Sequence, residues 1–181
     1  MALSPAVETL WNELQTVRQK VLEETEALSQ AQADWRPSDT DWSVGEILHH
    51  LTLAEINTGK LTSKLIKEAD AAGRLAPYPS DLKAFQPLPP PSPGPMEAPP
   101  VVRPEKGHPI AQLLADIKST RERSRQSMER LGSVDARALT WKHFALGELN
   151  LAQWWMLQAR HDADHLQQLR GVKAAPGFPR G

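Results

Sequence analysis

The chain has 181 residues, a length typical of one domain with a genuine core, and it contains no cysteine. Disulfides, thiolate ligands and a cysteine nucleophile are therefore excluded, so protein ligands to a metal must come from His, Asp or Glu. The net charge is −1 and the basic residues are scattered, which argues against nucleic-acid binding. No apolar run approaches the roughly 18 residues that cross a bilayer, and no signal-peptide pattern is visible, so we expect no membrane partner and a cytoplasmic protein.

The first predicted helix runs from near Ser4 to about Ser29. Ser4 followed by proline is typical of an N-cap. Apolar residues recur every three or four positions and form one stripe: Leu10, Leu14, Val17, Val21 and Leu28. Residues 34–42 hold a proline and several turn-forming residues, so they are predicted to be a connection that Trp35 and Trp42 pin to the bundle.

The second predicted helix begins at Ser43. Ser43 and Glu46, three residues apart, fit a capping box, and Gly73 is a plausible end. Residues 77–109 then hold 12 of the 16 prolines, a density that no helix interior or central strand tolerates. This segment is predicted to be a semi-extended crossover, long enough to let the second and third helices run parallel.

The third predicted helix runs from near Pro109 to Gly132. Residues 140–147 are predicted to be a short loop or a turn of extended chain. The fourth helix begins near Asn150, an acceptable N-cap, and is predicted to end at Gly171, before an irregular, loosely packed tail at 172–181.

Four amphipathic helices and no convincing strand predict an all-α protein. The architecture is a four-helix bundle in a single domain of residues 1–181, with one long Pro-rich crossover between helices 2 and 3.

His161 and His165 carry the clearest functional signal. Side chains four apart on a helix lie about 5–6 Å from each other on one face, a spacing that suits two nitrogens binding one cation. His50, in the sequence WSVGEILHHL, borders the apolar stripe of the second helix and supplies a third imidazole. Bound metal, hydrogen-bonded core histidines and solvent-exposed histidines all remain open from the pattern alone.

The position of the pair on the fourth helix favours the core-facing side. Both histidines fall in one line with Trp154, Gln158 and Leu169, whereas solvated histidines are expected on the side of Asp162 and Arg170. Buried imidazoles need partners, and a shared cation satisfies both lone pairs at once.

Two neighbouring residues, Glu46 and Asn57, each have two possible roles. Glu46 either caps its helix or accepts the other ring proton of His50, a common role of residues that orient metal ligands. Asn57, seven residues after His50, and Trp154 are candidates for a substrate pocket, and Asn57 is equally well explained as an ordinary polar bundle position. His108 and His143 are predicted to be surface residues.

The segments WSVGEILHHL and HDADHLQQL, with FALGEL before the last helix, resemble the DinB/YfiT-like family of small bacterial four-helix proteins. The resemblance covers most of the chain. It implies that His50, His161 and His165 bind a divalent metal, and that the protein forms a homodimer.

The resemblance also implies a function. Family members are similar to metal-dependent hydrolases and to S-transferases that use low-molecular-weight thiols. We therefore expect a small-molecule substrate, a divalent metal (Zn, Ni, Fe or Mn) and a water or thiol that the metal activates. Two alternatives remain: a non-catalytic stress-related binding module with a structural metal or none, and an interaction protein whose proline-rich segment docks partners.

Overall fold

The computed structural model describes residues 3–90 and 97–180, and its main elements are helices. The α-helices are α1 (Pro5–Thr25), α2 (Gln30–Asp34), α3 (Val44–Ala71), α4 (Ile110–Leu131) and α5 (Leu151–Ala174). Strands β1 (Thr140–His143) and β2 (Gly147–Asn150) form one hairpin, and Pro100–Val102 and Ala136–Ala138 are short 3-10 helices. The four long helices confirm the predicted bundle. Within the described ranges, no helix has the length and apolarity that a bilayer crossing requires.

The direction of the four long helices follows from their contacts. Gly45 near the start of α3 faces Leu113 near the start of α4, so these two helices run parallel, as the long crossover predicts. The helix α5 packs between α1 and α3. It runs parallel to α1 and antiparallel to α3, so the bundle has an up-down-down-up order in which α3 and α5 face each other.

The core consists of two apolar clusters at opposite ends of the bundle. One surrounds Leu14, Met128 and Trp155, and the other surrounds Leu51 and Ile117. Between them lie four buried charged residues, one from each long helix: Arg18, Glu55, Arg121 and Asp162. The polar layer therefore divides the hydrophobic interior at mid-height.

The first predicted helix is divided in two. The helix α1 ends at Thr25, and α2 begins after Ser29, which caps it. The side chain of Ser29 accepts from the backbone of Gln32, while Gln32 accepts from the backbone of Ser29. This reciprocal cap stabilises a separate short helix where the prediction had the last turn of the first one.

The prediction for residues 140–147 missed a β-hairpin. Thr140 pairs with Asn150 and His143 with Gly147, in antiparallel register. Gly147 has a φ of +75°, a conformation that glycine adopts without strain. Each strand has only four residues, too few for an alternating pattern to be recognised in the sequence.

The predicted end of the last helix at Gly171 is wrong, because α5 continues to Ala174. The residues after it are also anchored. The ring of Phe178 packs edge-on against Trp35 at 5.6 Å, and the carbonyl of Pro179 accepts from Gln32. The C-terminal residues therefore cover α2 instead of packing loosely.

Candidate metal centre

Two capped helices bring the predicted ligands together. The capping box of Ser43 and Glu46 is present as predicted and begins α3, which carries His50 on its second turn. Asn150 and Gln153 form an equivalent box at the start of α5, which carries His161 and His165. Because α3 and α5 are antiparallel neighbours, the three rings meet at their interface.

The three imidazoles converge through their Nε2 atoms. The Nε2 of His161 lies 2.9 Å from the Nε2 of His50 and 3.1 Å from the Nε2 of His165. One ring nitrogen from each residue lies within 4.8 Å of the other two. The structure therefore places all three predicted ligands around one point.

The hydrogen bonds of the Nδ1 atoms, which point away from the centre, determine which ring nitrogens carry protons. The Nδ1 of His50 donates to the carbonyl of Val102 at 2.7 Å, and the Nδ1 of His165 donates to the Oε1 of Gln168 at 2.7 Å. A neutral imidazole has one N–H, so both Nε2 atoms present lone pairs to the Nε2 of His161. That atom carries at most one proton, and it cannot satisfy both neighbours.

Burial keeps these rings neutral. Desolvation, with the charges of nearby histidines, lowers the pKa of His50 to about 4. Desolvation and the neighbouring His165 and His50 hold the pKa of His161 well below its ordinary value, and desolvation also lowers the pKa of His165. Protonation therefore does not resolve the unpaired lone pairs near neutral pH.

The donor set fits a divalent cation. Nitrogens bound at about 2.0–2.1 Å to one ion are separated by about 2.9–3.4 Å, close to the two distances between the Nε2 atoms. The Nδ1 of His161 is buried and has no hydrogen-bond partner among the described residues. A cation shared by the three Nε2 atoms would satisfy the lone pairs that the protein leaves facing one another.

Trp42 forms a wall of the site that the sequence did not reveal. Its ring stacks on His165, with centroids 5.9 Å apart and planes 18° from parallel, and it packs on His50 at 4.8 Å. The segment containing Trp42 was predicted to be pinned to the bundle. The structure shows that Trp42 is pinned by the imidazoles themselves, which restricts the rotation of both rings.

The face of α5 that carries the histidines is rotated from the prediction. Asp162, expected on the solvated side, is fully buried, and the aliphatic core positions beside it include Leu166 and Leu169. His161 and His165 lie half-buried at the edge of this face, towards α3. The imidazoles therefore border the core, and a carboxylate occupies its centre.

The buried charged layer is a closed network of ion pairs. The guanidinium of Arg18 binds Asp162 at 2.8 Å and Glu55 at 2.9 Å, and Arg121 binds the same two carboxylates at 3.1 and 2.7 Å. Ser124 donates to Glu55 at 2.6 Å. Burial would raise the pKa of Glu55, but the two arginines hold it below its ordinary value. Glu55 therefore stays charged, and the network joins all four long helices beside the imidazoles.

The other predicted site residues lie elsewhere. Glu46 caps α3 and pairs with Arg36, so its alternative role beside His50 is taken by the carbonyl of Val102. Asn57 donates to the carbonyl of Leu53, within its own helix. The indole N–H of Trp154 donates to the carbonyl of Trp141, and its ring packs on His143. Trp154 therefore supports the hairpin.

His143 is buried, although a surface position was predicted. Its Nδ1 accepts from the backbone N–H groups of Ala145 and Leu146, which shapes the turn of the hairpin. Two surface grooves of about 350 Å³ lie between α3 and α4 and beside Met156 on α5, and neither is lined by the three imidazoles. These two grooves therefore lie apart from the triad, in which His50 is buried and His161 and His165 are half-buried.

Three histidines from two antiparallel helices of an up-down-down-up bundle define a class of helical protein with a candidate metal centre. The chain belongs to the DinB superfamily, whose family model matches residues 13–169, and this confirms the resemblance found in the sequence. The solved structure described as TT2238, a four-helix bundle protein, shares the fold with a TM-score of 0.61 at 17% identity. The match covers 91% of this chain and 98% of that chain. No curated protein matches the sequence.

Proposed function

We propose that this protein binds a divalent metal ion through His50, His161 and His165 and uses it in an enzymatic reaction on a small molecule. The observation that carries the proposal is the convergence of three Nε2 atoms, two of which have lone pairs fixed towards the third. Neutral imidazoles suit zinc, nickel and iron, and also accept manganese, so the ligand set alone does not select the metal.

The number of ligands favours a catalytic over a structural metal. Closed structural sites normally use four protein ligands, whereas catalytic sites use three and keep a position open. Among the described residues, the group that can hold an ion contains three members and no carboxylate. Three side chains near the triad in sequence carry oxygen atoms that could act as a fourth ligand. Glu46 is held by Arg36, Asn57 is bonded within its helix, and Asp164 is exposed.

A divalent ion held by neutral imidazoles lowers the pKa of a water molecule or a thiol bound beside it, which provides a nucleophile near neutral pH. Since the chain has no cysteine, a thiol in this reaction comes from a low-molecular-weight cofactor. The reaction class is then hydrolysis, or transfer of an electrophilic group to that thiol.

The protein's own residues prepare this chemistry. Val102 and Gln168 fix which nitrogen of His50 and His165 faces the centre. Trp42 covers both rings and limits the access of bulk water from that side. The network of Arg18, Asp162 and their partners holds α3 and α5 in a fixed alignment, which keeps the rings from separating.

The first test is metal binding by the purified chain. After chelation, the protein is titrated with Zn²⁺, Ni²⁺, Fe²⁺ and Mn²⁺ by calorimetry, and we expect one ion to bind per chain. His161→Ala removes the nitrogen shared by both short contacts and should lose high-affinity binding while the helices persist in circular dichroism. His143→Asn is the matched control, since it removes an imidazole outside the triad and keeps an acceptor for the hairpin turn.

The second test is activity of the loaded protein. Common bacterial thiols are combined with electrophilic substrates, and simple esters and amides are assayed without thiol. Turnover that requires the metal and disappears in His161→Ala supports the enzyme. Stoichiometric metal binding with no turnover across this screen favours the alternative, a binding module with a structural metal. Assembly as a homodimer and a cytoplasmic location stay predictions.

A further inference from the structure

One part of the proline-rich crossover contacts the metal centre directly. We define the strap as residues 99–110, which lead from the crossover into α4. Its 3-10 turn is closed by the N–H of Val102, which donates to Pro99, and by Arg103, which donates to Pro100. The turn aims the carbonyl of Val102 at the Nδ1 of His50, and the two atoms are 2.7 Å apart.

The strap has two further anchors that do not involve the triad. The N–H of Glu105 donates to the Nδ1 of His49 at 3.0 Å, and the ring of His49 packs edge-on against His108 at 4.4 Å. At the entry to α4, Gln30 accepts from the N–H of Ile110 and donates to the carbonyl of His108. Adjacent histidines of α3 therefore bind the same short stretch of backbone.

The contact with Val102 has a chemical consequence. A carbonyl oxygen only accepts hydrogen bonds, so the Nδ1 of His50 must carry the proton and its Nε2 must carry the lone pair. If the strap were undocked, water would bond to either nitrogen, both tautomers would be populated and the ring would be free to turn. Partners that orient a metal-ligating histidine in this way typically contribute about 10–100-fold to metal affinity.

We propose that the strap is a positioning element of the metal centre: its docking fixes the tautomer and orientation of His50, and metal binding in turn tightens its docking. This inference rests on the proposed metal binding. The two effects are linked by thermodynamic reciprocity, since a segment that strengthens metal binding must itself be stabilised by the metal to the same extent.

His49 allows the strap to be loosened without altering a ligand. His49→Ala removes the acceptor for Glu105 and should weaken Zn²⁺ binding of the full-length chain about 10-fold in calorimetry. His49→Asn places an oxygen near the position of the lost Nδ1 and should restore most of the affinity. The free energy of unfolding of the chelated protein serves as a control, because a general loss of packing would lower it in both variants.

Trypsin gives an independent measurement on the unmodified protein. Lys106 lies in the strap, whereas Lys83 lies in the crossover outside it, and both are exposed. Arg103 precedes a proline and resists cleavage. Since cleavage within a docked segment requires local opening, Zn²⁺ should slow cleavage after Lys106 several-fold and leave cleavage after Lys83 unchanged. In His161→Ala, Zn²⁺ should slow neither.

The outcomes separate the two proposals. If the wild-type chain binds Zn²⁺ but His49→Ala binds it equally well, or cleavage after Lys106 does not respond to Zn²⁺, the role of the strap is refuted and the metal site stands. If the wild-type chain binds none of the four metals, the proposed function fails and the inference fails with it. Reduced affinity in His49→Ala, rescue by His49→Asn and protection at Lys106 together establish the coupling.

Discussion

Replacing Asp162 should cost the bundle a large part of its stability. Its carboxylate is fully buried and accepts from Arg18, Arg121 and Gln158. Asp162→Asn keeps the shape but removes the charge, so two buried guanidinium groups would face the single carboxylate of Glu55. In addition, one carboxylate oxygen that accepted hydrogen bonds is replaced by an amide NH2 group, whose N–H donors would face a guanidinium cation.

The expected magnitude follows from this uncompensated charge. Removing one partner from a buried ion pair costs about 3–5 kcal/mol. Typical domains have a free energy of unfolding of about 5–15 kcal/mol, so this is a large part of the total. With a denaturant slope of about 2 kcal/mol per molar urea, the midpoint should fall by about 2 M. The assay is urea unfolding of the metal-free protein, monitored by circular dichroism.

The matched control is Asp164→Asn, the same chemical change on the same helix at an exposed position. It should change the free energy of unfolding by less than about 0.5 kcal/mol. Adding Arg18→Met to Asp162→Asn should cost less than the sum of the two single variants, because the second change removes the unpaired cation. A cost below about 1 kcal/mol for Asp162→Asn would refute the account of the layer as a closed charge network.

Two further predictions concern the site. Trp42 stacks on His165 and packs against His50, so metal binding should change the tryptophan fluorescence, and Trp42→Phe should remove most of that change. An unaltered response in the variant would mean that another tryptophan reports the binding. The second concerns pH. Because burial lowers the pKa of His50 to about 4 from an ordinary value of about 6.5, the unfolded chain binds more protons between these values. The free energy of unfolding of the chelated protein should therefore be constant above about pH 6.5 and fall as the pH is lowered towards 4, by up to about 1.4 kcal/mol per unit for each such imidazole. Urea titrations at several pH values test this, and a His50→Gln variant with an unchanged slope would contradict it.

The long helices and the pairing of His161 with His165 were predictable because they depend on local patterns. Apolar spacing and capping residues such as Ser43 and Asn150 mark where helices begin. The spacing of His161 and His165 places them on one face whatever the helix packs against. The assignment of His50 to the same metal site was what the resemblance to the DinB/YfiT-like family implied, because the pattern alone left bound metal, core histidines and exposed histidines open.

The charged layer was not predictable in the same way. Asp162 was expected to face solvent because an isolated carboxylate on a helix usually does. Its partners lie far away in sequence, and Arg18 is separated from it by 144 residues. The rotation of the buried face of α5 follows from that pairing, so a pattern within α5 alone could not show it.

The orienting groups of the site were missed for a different reason. Val102 acts through its backbone carbonyl, a group that every residue carries and that a sequence pattern therefore cannot single out. It contacts His50 from the segment that was predicted to be a semi-extended crossover. Glu46, the side chain proposed for that role, is already bound by Arg36 and by its own cap. Capping the helix was one of the two roles predicted for Glu46, and the structure supports that role.

The division of the core by Arg18, Glu55, Arg121 and Asp162 limits how the helices can slide. If one helix shifted along its axis by one turn, about 5.4 Å, its charged group would enter an aliphatic cluster and leave its counterion unpaired. The layer thus fixes the axial register of the four helices relative to one another. Substitutions among the aliphatic residues above and below it are expected to change stability but to leave that alignment intact. Sliding α3 or α5 along its axis would displace its imidazoles and its buried charged residue by the same distance.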